Sequence, residues 1–397
     1  MSSPVVRPAA SPRAGRPRPV RVTEEVYGAL GYLVGRLLFL NSRYAPQVHW
    51  GDIAHALDGF PTDDLDLSSA AFWNEWRLRW TAQADRYRLL ADDSGTPAGR
   101  SRALRSAAAC YHWAEFMDFE DPQRKLAARQ RIRECFLDSL PGTDLDLVAG
   151  QLPATPDRAA VPYWVLLPPQ RVRPAGPLAT VVLSNGLDSM TEVEVLALAE
   201  PFLERGLAAV LFDGPGQGIQ AGQTPLLVAM ESVVADLVVR VTENPLLDQH
   251  RMAFLGISFG GYVALRVAAT SGTTFRVVVN HGGGPQISEF AGLPRRLKED
   301  FRFAFLAPAE ADLQPQFDAM ALTPDGPAPQ TEVVSLHGAL DDIFPVEALR
   351  DLHRAWGPRH TLEIHEREAH TSLNIINALT LRTADLVSDR LATPITP

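Results

Sequence analysis

A serine between two glycines carries the clearest chemical signal in this sequence. The pattern Gly-x-Ser-x-Gly occupies residues 256–260, with Ser258 at its centre, and an apolar run at 252–255 precedes it. A segment rich in Ala, Val and Leu follows, so the stretch predicts a strand, a sharp turn and a helix, which is the setting of a nucleophile elbow. The two glycines remove side chains that would clash in such a turn. We therefore predict that Ser258 is a nucleophile at a helix N-terminus; a plain structural turn is the alternative.

A serine hydroxyl needs a base within hydrogen-bond reach and an acid that orients the base. On a sheet of this kind the three residues follow one another as Ser, then Asp or Glu, then His. Asp341 and His370 each follow a predicted strand in that order, so they are the predicted acid and base. Asp342 is the alternative acid, and His360 and His365 are the alternative bases. A helix-capping carboxylate and a surface histidine are the plain structural interpretations.

A serine that attacks a carbonyl group also needs N–H donors for the oxyanion. The first predicted donor is the N–H of Phe259, directly after the serine. The second is the N–H of Leu187, in the turn that follows an early predicted strand. Gly186 allows the backbone of this turn to approach a substrate closely. A simple turn without a catalytic role is the alternative for this segment.

The elements that must position these groups alternate between short apolar runs and helical segments after residue 146. This alternation predicts an α/β architecture with a mostly parallel sheet covered by helices on both faces. The candidate motifs all lie at the carboxyl ends of predicted strands, where such sheets place chemistry. Apolar residues recur at helical spacing between 23 and 136 instead, including tryptophans 73, 76 and 80 on one face. The predicted division is a disordered tail at 1–20, a helical cap or lid domain at 21–145 and a catalytic domain at 146–397 with an insertion at about 284–327.

Composition excludes several classes of function. Of the 397 residues, 46% are hydrophobic and 21% are charged, as in a soluble globular protein. The formal net charge of −10 argues against nucleic acid and against an anionic membrane surface as partners. Cys110 and Cys135 form no disulfide framework, and no apolar run approaches the roughly 20 residues that span a bilayer, so we expect a cytoplasmic protein. The expected partner is a small-molecule substrate, and a homodimer is left open.

Four motifs carry a resemblance to a known group. They are SNGLDS at 184–189, FDGPGQG at 212–218, GISFGG at 256–261 and HGALD at 337–341. Together with the helical segment before them, they resemble the α/β-hydrolases related to 2,6-dihydroxypseudooxynicotine hydrolase and to the fungal polyketide-shortening hydrolases of pigment biosynthesis. The resemblance covers about residues 23–391.

This resemblance implies an α/β-hydrolase fold with an N-terminal helical cap domain. It also implies that Ser258, Asp341 and His370 cleave an ester or a carbon–carbon bond next to a ketone, with no metal and no organic cofactor. The chain departs from the group after the first motif, where Met-Thr-Glu-Val-Glu at 190–194 replaces a charged run such as Lys-Glu-Glu. This departure bears on the identity of the substrate more than on the triad.

Four further residues are predicted to contact the substrate. Gly186 and Asp188 lie in the turn of the first motif, and His281 ends a predicted strand near the serine. Glu289 lies in the segment after that strand and could deliver the proton that a carbanion leaving group needs. A solvated loop glutamate is the alternative interpretation of Glu289.

Three functional hypotheses follow. The leading one is a serine hydrolase that forms an acyl-enzyme with an ester or a ketone-adjacent carbon–carbon bond of a bulky, polyketide-like molecule. The second is a non-hydrolytic cyclisation, elimination or isomerisation in natural-product biosynthesis with the same residues, which a pocket that excludes water would favour. The third is a binding module on a hydrolase fold that has lost its chemistry, against which the intact order of Ser, Asp and His argues.

Overall fold

The structure is a computed structural model, and it divides into a helical part and a sheet part. It describes residue 26 and residues 30–38, 42–45, 48–61, 66–156, 158–310 and 313–392. The predicted tail at 1–20 lies outside these residues. In the described part of the chain, none of the helices combines the length and the apolar composition that crossing a membrane requires.

The sheet part is built on eight strands within the described residues. They are β1 (Asp146–Leu152), β2 (Val161–Leu167), β3 (Leu178–Ser184), β4 (Ala208–Phe212), β5 (Leu247–Ile257), β6 (Val277–His281), β7 (Glu332–Gly338) and β8 (His360–His365). Their order across the sheet is β1-β2-β4-β3-β5-β6-β7-β8. β1 and β2 pair antiparallel with their neighbours, and the remaining pairs are parallel.

Two layers of helices cover the sheet. One face packs against α7 (Glu231–Thr242), α8 (Phe259–Thr270) and α11 (Val346–Trp356), and the other against α6 (Leu196–Glu204) and α12 (Ile376–Ala392). Every residue of β3, β4 and β6 is buried. Strands covered on both faces form continuous apolar runs, and this is why the sequence indicates these strands so clearly.

The sequence did not predict β1. This edge strand is mostly exposed and contains Gly150, so it lacks the apolar run that marks the central strands. A Cβ atom at Gly150 would lie 2.1 Å from the ring of Tyr163 on the neighbouring strand, so the glycine leaves room for that ring.

The helical part precedes the sheet. Its described helices are α1 (Gly31–Leu38), α2 (Trp50–Leu57), α3 (Ala70–Asp92), α4 (Pro97–Glu115) and α5 (Pro122–Ser139). Ser69, Thr96 and Asp121 cap the N-termini of α3, α4 and α5 through side-chain oxygens. Trp76 and Trp80 are fully buried in the core of this part, and that core also includes Met190 from the turn after β3. The helical part therefore rests on the carboxyl edge of the sheet.

A segment between β6 and β7 also covers this edge. It contains α9 (Arg295–Phe305) and α10 (Gln314–Met320), inside the region predicted as an insertion. Phe301 stacks edge-on against Phe317, with ring centroids 4.8 Å apart, and both join the core of the sheet face. The predicted domain boundaries themselves stay a prediction.

Candidate active site

Ser258 occupies a strained turn between β5 and α8. Its backbone φ is +57° and its ψ is −120°, a region that residues with a side chain rarely occupy. A Cβ atom at Gly256 would lie 1.8 Å from the carbonyl oxygen of Gly260, and one at Gly260 would lie 2.2 Å from that of Ser184. Both glycines are therefore required by close backbone contacts. The N–H of Ser258 donates to the carbonyl of His281, 2.9 Å away, which ties the turn to β6.

Ser258, His370 and Asp341 form one hydrogen-bonded chain. His370 Nε2 lies 2.8 Å from Ser258 Oγ, and His370 Nδ1 lies 2.8 Å from Asp341 Oδ2. The carboxylate fixes the proton of a neutral ring on Nδ1, so Nε2 can accept the proton of the serine hydroxyl. Asp341 Oδ1 accepts the N–H groups of Ile343 and Phe344, each at 2.9 Å. The structure thus brings together the three residues that the sequence selects for a triad.

Asp341 is held as a carboxylate. Burial raises its pKa, but the charge and the hydrogen bond of His370 lower it more. With smaller contributions from His337 and the N–H of Phe344, the pKa is below its ordinary value. His337 Nε2 lies 3.8 Å from Asp341 and 2.9 Å from the carbonyl of Phe344. Burial lowers the pKa of His337, so this second histidine is neutral near pH 7.

The alternative acid and bases have other partners. The backbone carbonyl of Asp342 accepts the hydroxyl of Ser288, while its side chain lines the cavity described below. His360 Nε2 lies 2.7 Å from the hydroxyl of Ser335, and His365 Nε2 lies 3.5 Å from Glu363. The contact with Ser258 is therefore made by His370 and not by these two histidines.

The turn predicted to supply an oxyanion donor passes beside the serine. A Cβ atom at Gly186 would lie 3.5 Å from the Cβ of Ser258. The carbonyls of Asn185 and Gly186 both accept from Gln217 Nε2, at 2.9 and 3.1 Å. A trans peptide points its N–H opposite to its carbonyl, so the N–H of Leu187 faces away from Gln217. Leu187 and Phe259 both line the cavity that contains Ser258.

Asp213 supports this turn from behind. Its Oδ1 accepts Asn185 Nδ2 at 3.1 Å and the hydroxyl of Thr191 at 2.6 Å. Its Oδ2 lies 3.2 Å from Arg133 and accepts the N–H of Ile219 at 3.1 Å. In the sequence, the Gly-Pro-Gly-Gln-Gly stretch after Asp213 indicated only a resemblance to known hydrolases. The polar residues beside its glycines could have indicated that Asp213 positions this turn.

A cavity of about 570 Å³ opens above the serine. Its apolar wall comes from the helical part, from the segment between β6 and β7, and from the loop after β7; among the residues are Leu33, Leu67, Trp73, Phe116, Leu297, Phe301 and Ile343. The sequence placed Trp73 on one helical face with Trp76 and Trp80; Trp73 is buried, and it also lines this cavity. Core and cavity wall share the same apolar residue types, so periodicity alone does not separate them.

Charged side chains interrupt this wall at a few places. Four charged residues of the wall are Arg36, Asp188, Arg296 and Asp300. Asp188 was selected from the sequence, and the other three were not. Arg36 donates to Asp188 at 3.0 Å and lies 3.4 Å from Glu194. The ion pair between Arg36 and Asp188 links α1 to the turn that follows β3.

Two residues predicted to contact the substrate, His281 and Glu289, do not line this cavity. His281 is buried below the serine, where its ring Nε2 lies 3.0 Å from the carbonyl of Thr371, and burial lowers its pKa to about 4. It does not line the cavity, because the end of β6 turns its ring into the interior. Glu289 is exposed and does not line the cavity either, since its carboxylate is on the solvent side of the loop.

No group of three or more His, Cys, Asp or Glu side chains is placed to hold a metal ion in the described ranges. The expectation that the reaction needs no cofactor stays a prediction.

Known proteins resemble this chain over different lengths. It is 31% identical over 204 residues to the 20-hydroxy-prefusarin hydrolase FUS2 of Gibberella moniliformis, which is 49% of this chain and 48% of that protein. It is 28% identical over 232 residues to the 2,6-dihydropseudooxynicotine hydrolase of Paenarthrobacter nicotinovorans, 56% of this chain and 59% of that protein. The chain thus spans about half the length of the curated relatives that it matches. The resemblance drawn from the four motifs is confirmed.

The crystal structure of the 2,6-dihydroxy-pseudo-oxynicotine hydrolase superposes on this structure with a TM-score of 0.73. The superposition covers 90% of this chain and 96% of that one at 22% sequence identity. This likeness confirms the predicted α/β-hydrolase fold with an N-terminal helical region. A family model described as esterase FrsA-like matches residues 73–294, more than half of the chain, and the protein therefore belongs to the FrsA-like esterase family.

Proposed function

We propose that the protein is a serine hydrolase that cleaves an ester or a ketone-adjacent carbon–carbon bond through an acyl-enzyme. The observation that carries this proposal is the chain from Ser258 Oγ through His370 to Asp341, with 2.8 Å at both steps. These distances are within the range for a nucleophile, its base and the group that orients the base. The hydrolase names of the matched relatives support the same reaction type.

In the proposed reaction, Ser258 Oγ attacks the substrate carbonyl and its proton moves to His370 Nε2. Asp341 holds the Nδ1 proton and stabilises the imidazolium. The N–H groups of Leu187 and Phe259 donate to the oxyanion. The bond to the leaving group then breaks, and its electron pair takes the proton from His370. Water attacks the acyl ester with His370 again as base, which releases the acid and restores the serine.

The cavity supports a bulky and largely apolar substrate of a polyketide-like kind. A volume of about 570 Å³ lies within the range of sites for drug-sized ligands. The wall combines aromatic side chains from the helical part, such as Trp73 and Phe116, with Phe301 from the segment between β6 and β7. We propose that these two regions act as the lid and set the substrate preference.

A fluorophosphonate probe tests the nucleophile. We expect one covalent adduct on Ser258, located by peptide mass spectrometry, and no adduct in S258A. Hydrolysis of a p-nitrophenyl ester should fall by about 10⁴-fold or more in S258A, since triad serines contribute effects of this size. S232A is the matched control, because that hydroxyl is exposed at the start of α7. An unlabelled wild-type protein, or an adduct that persists in S258A, would remove the proposal.

A non-hydrolytic reaction is the second candidate, and the mostly apolar wall of the cavity favours it because a water molecule there has few polar groups to bind. The cyclisation, elimination or isomerisation would use the same serine and histidine. Turnover in ¹⁸O-labelled water separates the two candidates. Incorporation of one label into the product marks hydrolysis, and a product without label marks the second candidate.

A further inference from the structure

Asp300 on α9 is a buried carboxyl group that the proposed reaction has not yet used. It is 2% exposed and lines the same cavity as Ser258 and His370. Its Oδ2 is buried and has no hydrogen-bond partner among the described residues. A buried carboxylate without donors is costly, so this group is either protonated or completed by a bound molecule.

Charges face Asp300 from three elements. Asp188 acts on it electrostatically from the turn after β3. Glu115 on α4 and Lys125 and Arg129 on α5 also act on it through their charges. The two cations are already engaged with Glu115, to which Lys125 forms an ion pair and from which Arg129 Nε lies 3.3 Å. They are therefore shared cations and not dedicated partners of Asp300.

Arg296, one turn earlier on α9, also lines the cavity. Its Nη1 lies 3.1 Å from Glu120 and 2.6 Å from Glu299, whereas its Nε and Nη2 are buried without a hydrogen-bond partner among the described residues. Burial and then the charge of Asp188 raise the pKa of Asp300 to about 7, against the opposite effect of Lys125 and Arg129. The raised pKa favours a neutral carboxylic acid at this position near pH 7.

We propose that Asp300 is a catalytic residue that donates a hydrogen bond, and then its proton, to an oxygen of the leaving group. The proposal rests on the proposed hydrolase function and adds a second acid to it. A neutral carboxyl O–H in an apolar cavity needs an acceptor, and a ketone oxygen two carbons from the attacked carbonyl is one. That oxygen gains charge only when the carbon–carbon bond breaks, so a donor there stabilises the transition state more than the bound substrate.

The step balances without an added reagent. As the bond between the acyl carbon and the neighbouring carbon breaks, its electron pair moves onto the second ketone as an enolate. The enolate oxygen takes the proton of Asp300. His370, which holds the proton of Ser258, then protonates the enol carbon, and the enol O–H proton returns to Asp300 as the ketone forms. Water and His370 release the acyl group from Ser258 as before.

The test compares two substrates with the same acyl group, a 1,3-diketone and a p-nitrophenyl ester. The nitrophenolate leaves without a proton, so only the diketone needs the second acid. We expect D300A to lower kcat/KM for the diketone by about 100-fold or more, the usual size of a general acid effect, and to leave the ester within about threefold. D318A on α10 is the matched control, because Asp318 is exposed, contacts Gln314 and does not line the cavity.

The pH profile separates a proton donor from a structural carboxylate. Diketone cleavage by the wild-type protein should decline as the pH rises through about 7, because Asp300 loses the proton that it donates. In D300N the amide keeps a donor but does not titrate. We expect this variant to retain more activity than D300A and to lose the alkaline decline.

Each outcome decides the proposal. Four outcomes would overturn the role of Asp300. In D300A, activity falls equally on both substrates or falls on neither. The wild-type protein cleaves the ester but no diketone, or the alkaline decline persists in D300N. Loss of fluorophosphonate labelling in both D300A and D300N would show a structural role and would also overturn it. Diketone cleavage that survives in S258A but fails in D300A would defeat the serine mechanism alone, with Asp300 still the acid.

Discussion

Two sides of one cavity are built in different ways. The side that holds the proposed triad is the carboxyl edge of β5, β7 and β8. Backbone contacts fix two members of the triad there: the glycine contacts at 256 and 260 hold the turn of Ser258, and two N–H groups hold Asp341. We call this the catalytic side. The lid side is assembled from side chains of α1, α3, α9 and the segments between them. The catalytic side is therefore determined by short stretches of sequence, whereas the lid side depends on contacts between distant ones. This difference predicts that changes on the first side abolish the reaction and changes on the second redirect it.

Among the changes that compare the two sides, the largest effect should come from Asp341. D341N keeps the shape of the side chain but replaces the acceptor of the His370 Nδ1 proton, so His370 would adopt the wrong tautomer. We expect ester hydrolysis to fall by about 10³- to 10⁴-fold. D342N is the matched control at the neighbouring carboxylate, and its ester hydrolysis should stay within about fivefold of the wild-type rate. Steady-state kinetics on both variants make the comparison, and similar losses in the two would mean that the carboxylate beside His370 is not the catalytic acid.

The support behind the oxyanion turn should come next. Q217A removes the two hydrogen bonds that hold the carbonyls of Asn185 and Gly186, which lie at 2.9 and 3.1 Å. Without them the N–H of Leu187 is no longer oriented, and an oxyanion donor contributes on the order of 10²-fold or more when lost entirely. We expect kcat to fall by about 10- to 100-fold, with KM changed less than threefold.

Q223A is the control for this experiment. Gln223 Nε2 likewise donates to a backbone carbonyl, that of Ile219, at 2.6 Å, but this carbonyl does not lie in the turn beside the serine. A fall in kcat of the same size in Q223A would show that the loss reflects general loosening of the loop.

The catalytic side was also the side that the sequence predicted well. A strand, a glycine, the serine and a helix are neighbours in the chain, so periodicity and glycine spacing locate Ser258 directly. Asp341 and His370 were located by their order after strands. Side-chain direction is a different matter: His281 and Glu289 lie in the predicted segments, yet one points into the interior and the other into solvent. Their direction depends on neighbours that the local sequence does not specify.

The lid side was largely beyond sequence reasoning. Asp300 and Arg36 are single charged residues in helices, and most such residues lie on a solvated face. Only the packing of α1 and α9 over the sheet edge places them in the cavity. The resemblance to known hydrolases supplied the existence of a helical cap, but it did not indicate which of its side chains reach the serine.

The contact between the helical part and the sheet part includes a buried histidine, His112, whose charge should affect stability. Burial alone lowers the pKa of His112, but its contacts with Glu115 at 3.3 Å and Glu194 at 3.8 Å outweigh burial and raise the pKa to about 9. A raised pKa stabilises the folded state fully below about pH 6.5, and this stabilisation is lost as the pH rises through 9. The difference corresponds to at most about 3 kcal/mol.

Urea unfolding of H112Q and the wild-type protein at pH 6 and pH 9.5 checks whether the stabilisation by His112 falls as the pH rises. We expect the gap in free energy of unfolding between the two proteins to shrink at the higher pH. H250Q changes an exposed histidine and should show no gap at either pH. A gap that grows with pH would mean that His112 is buried as the neutral ring.

The smallest effect on activity should come from changes to two tryptophans on α3, which test the lid side directly. Trp73 lines the cavity and its indole N–H donates to the carbonyl of Leu67 at 2.7 Å. Trp76 is fully buried one turn later, and its indole N–H donates to the carbonyl of Trp113 at 2.6 Å, but it does not line the cavity. W73F and W76F thus remove the same ring volume and the same type of hydrogen bond. Both should lower the free energy of unfolding, by about 1–3 kcal/mol.

Only W73F should change the choice of substrate, because only its lost volume opens into the cavity. For a series of p-nitrophenyl esters of increasing acyl size, we expect kcat/KM to shift toward the larger acyl groups by about 3- to 10-fold in W73F. This is about 1 kcal/mol, the lower end of what one pocket contact contributes. W76F should keep the wild-type ranking of the series. An equal shift in both variants would show that the helical part affects preference through its stability, and then Trp73 would not be a wall of the site.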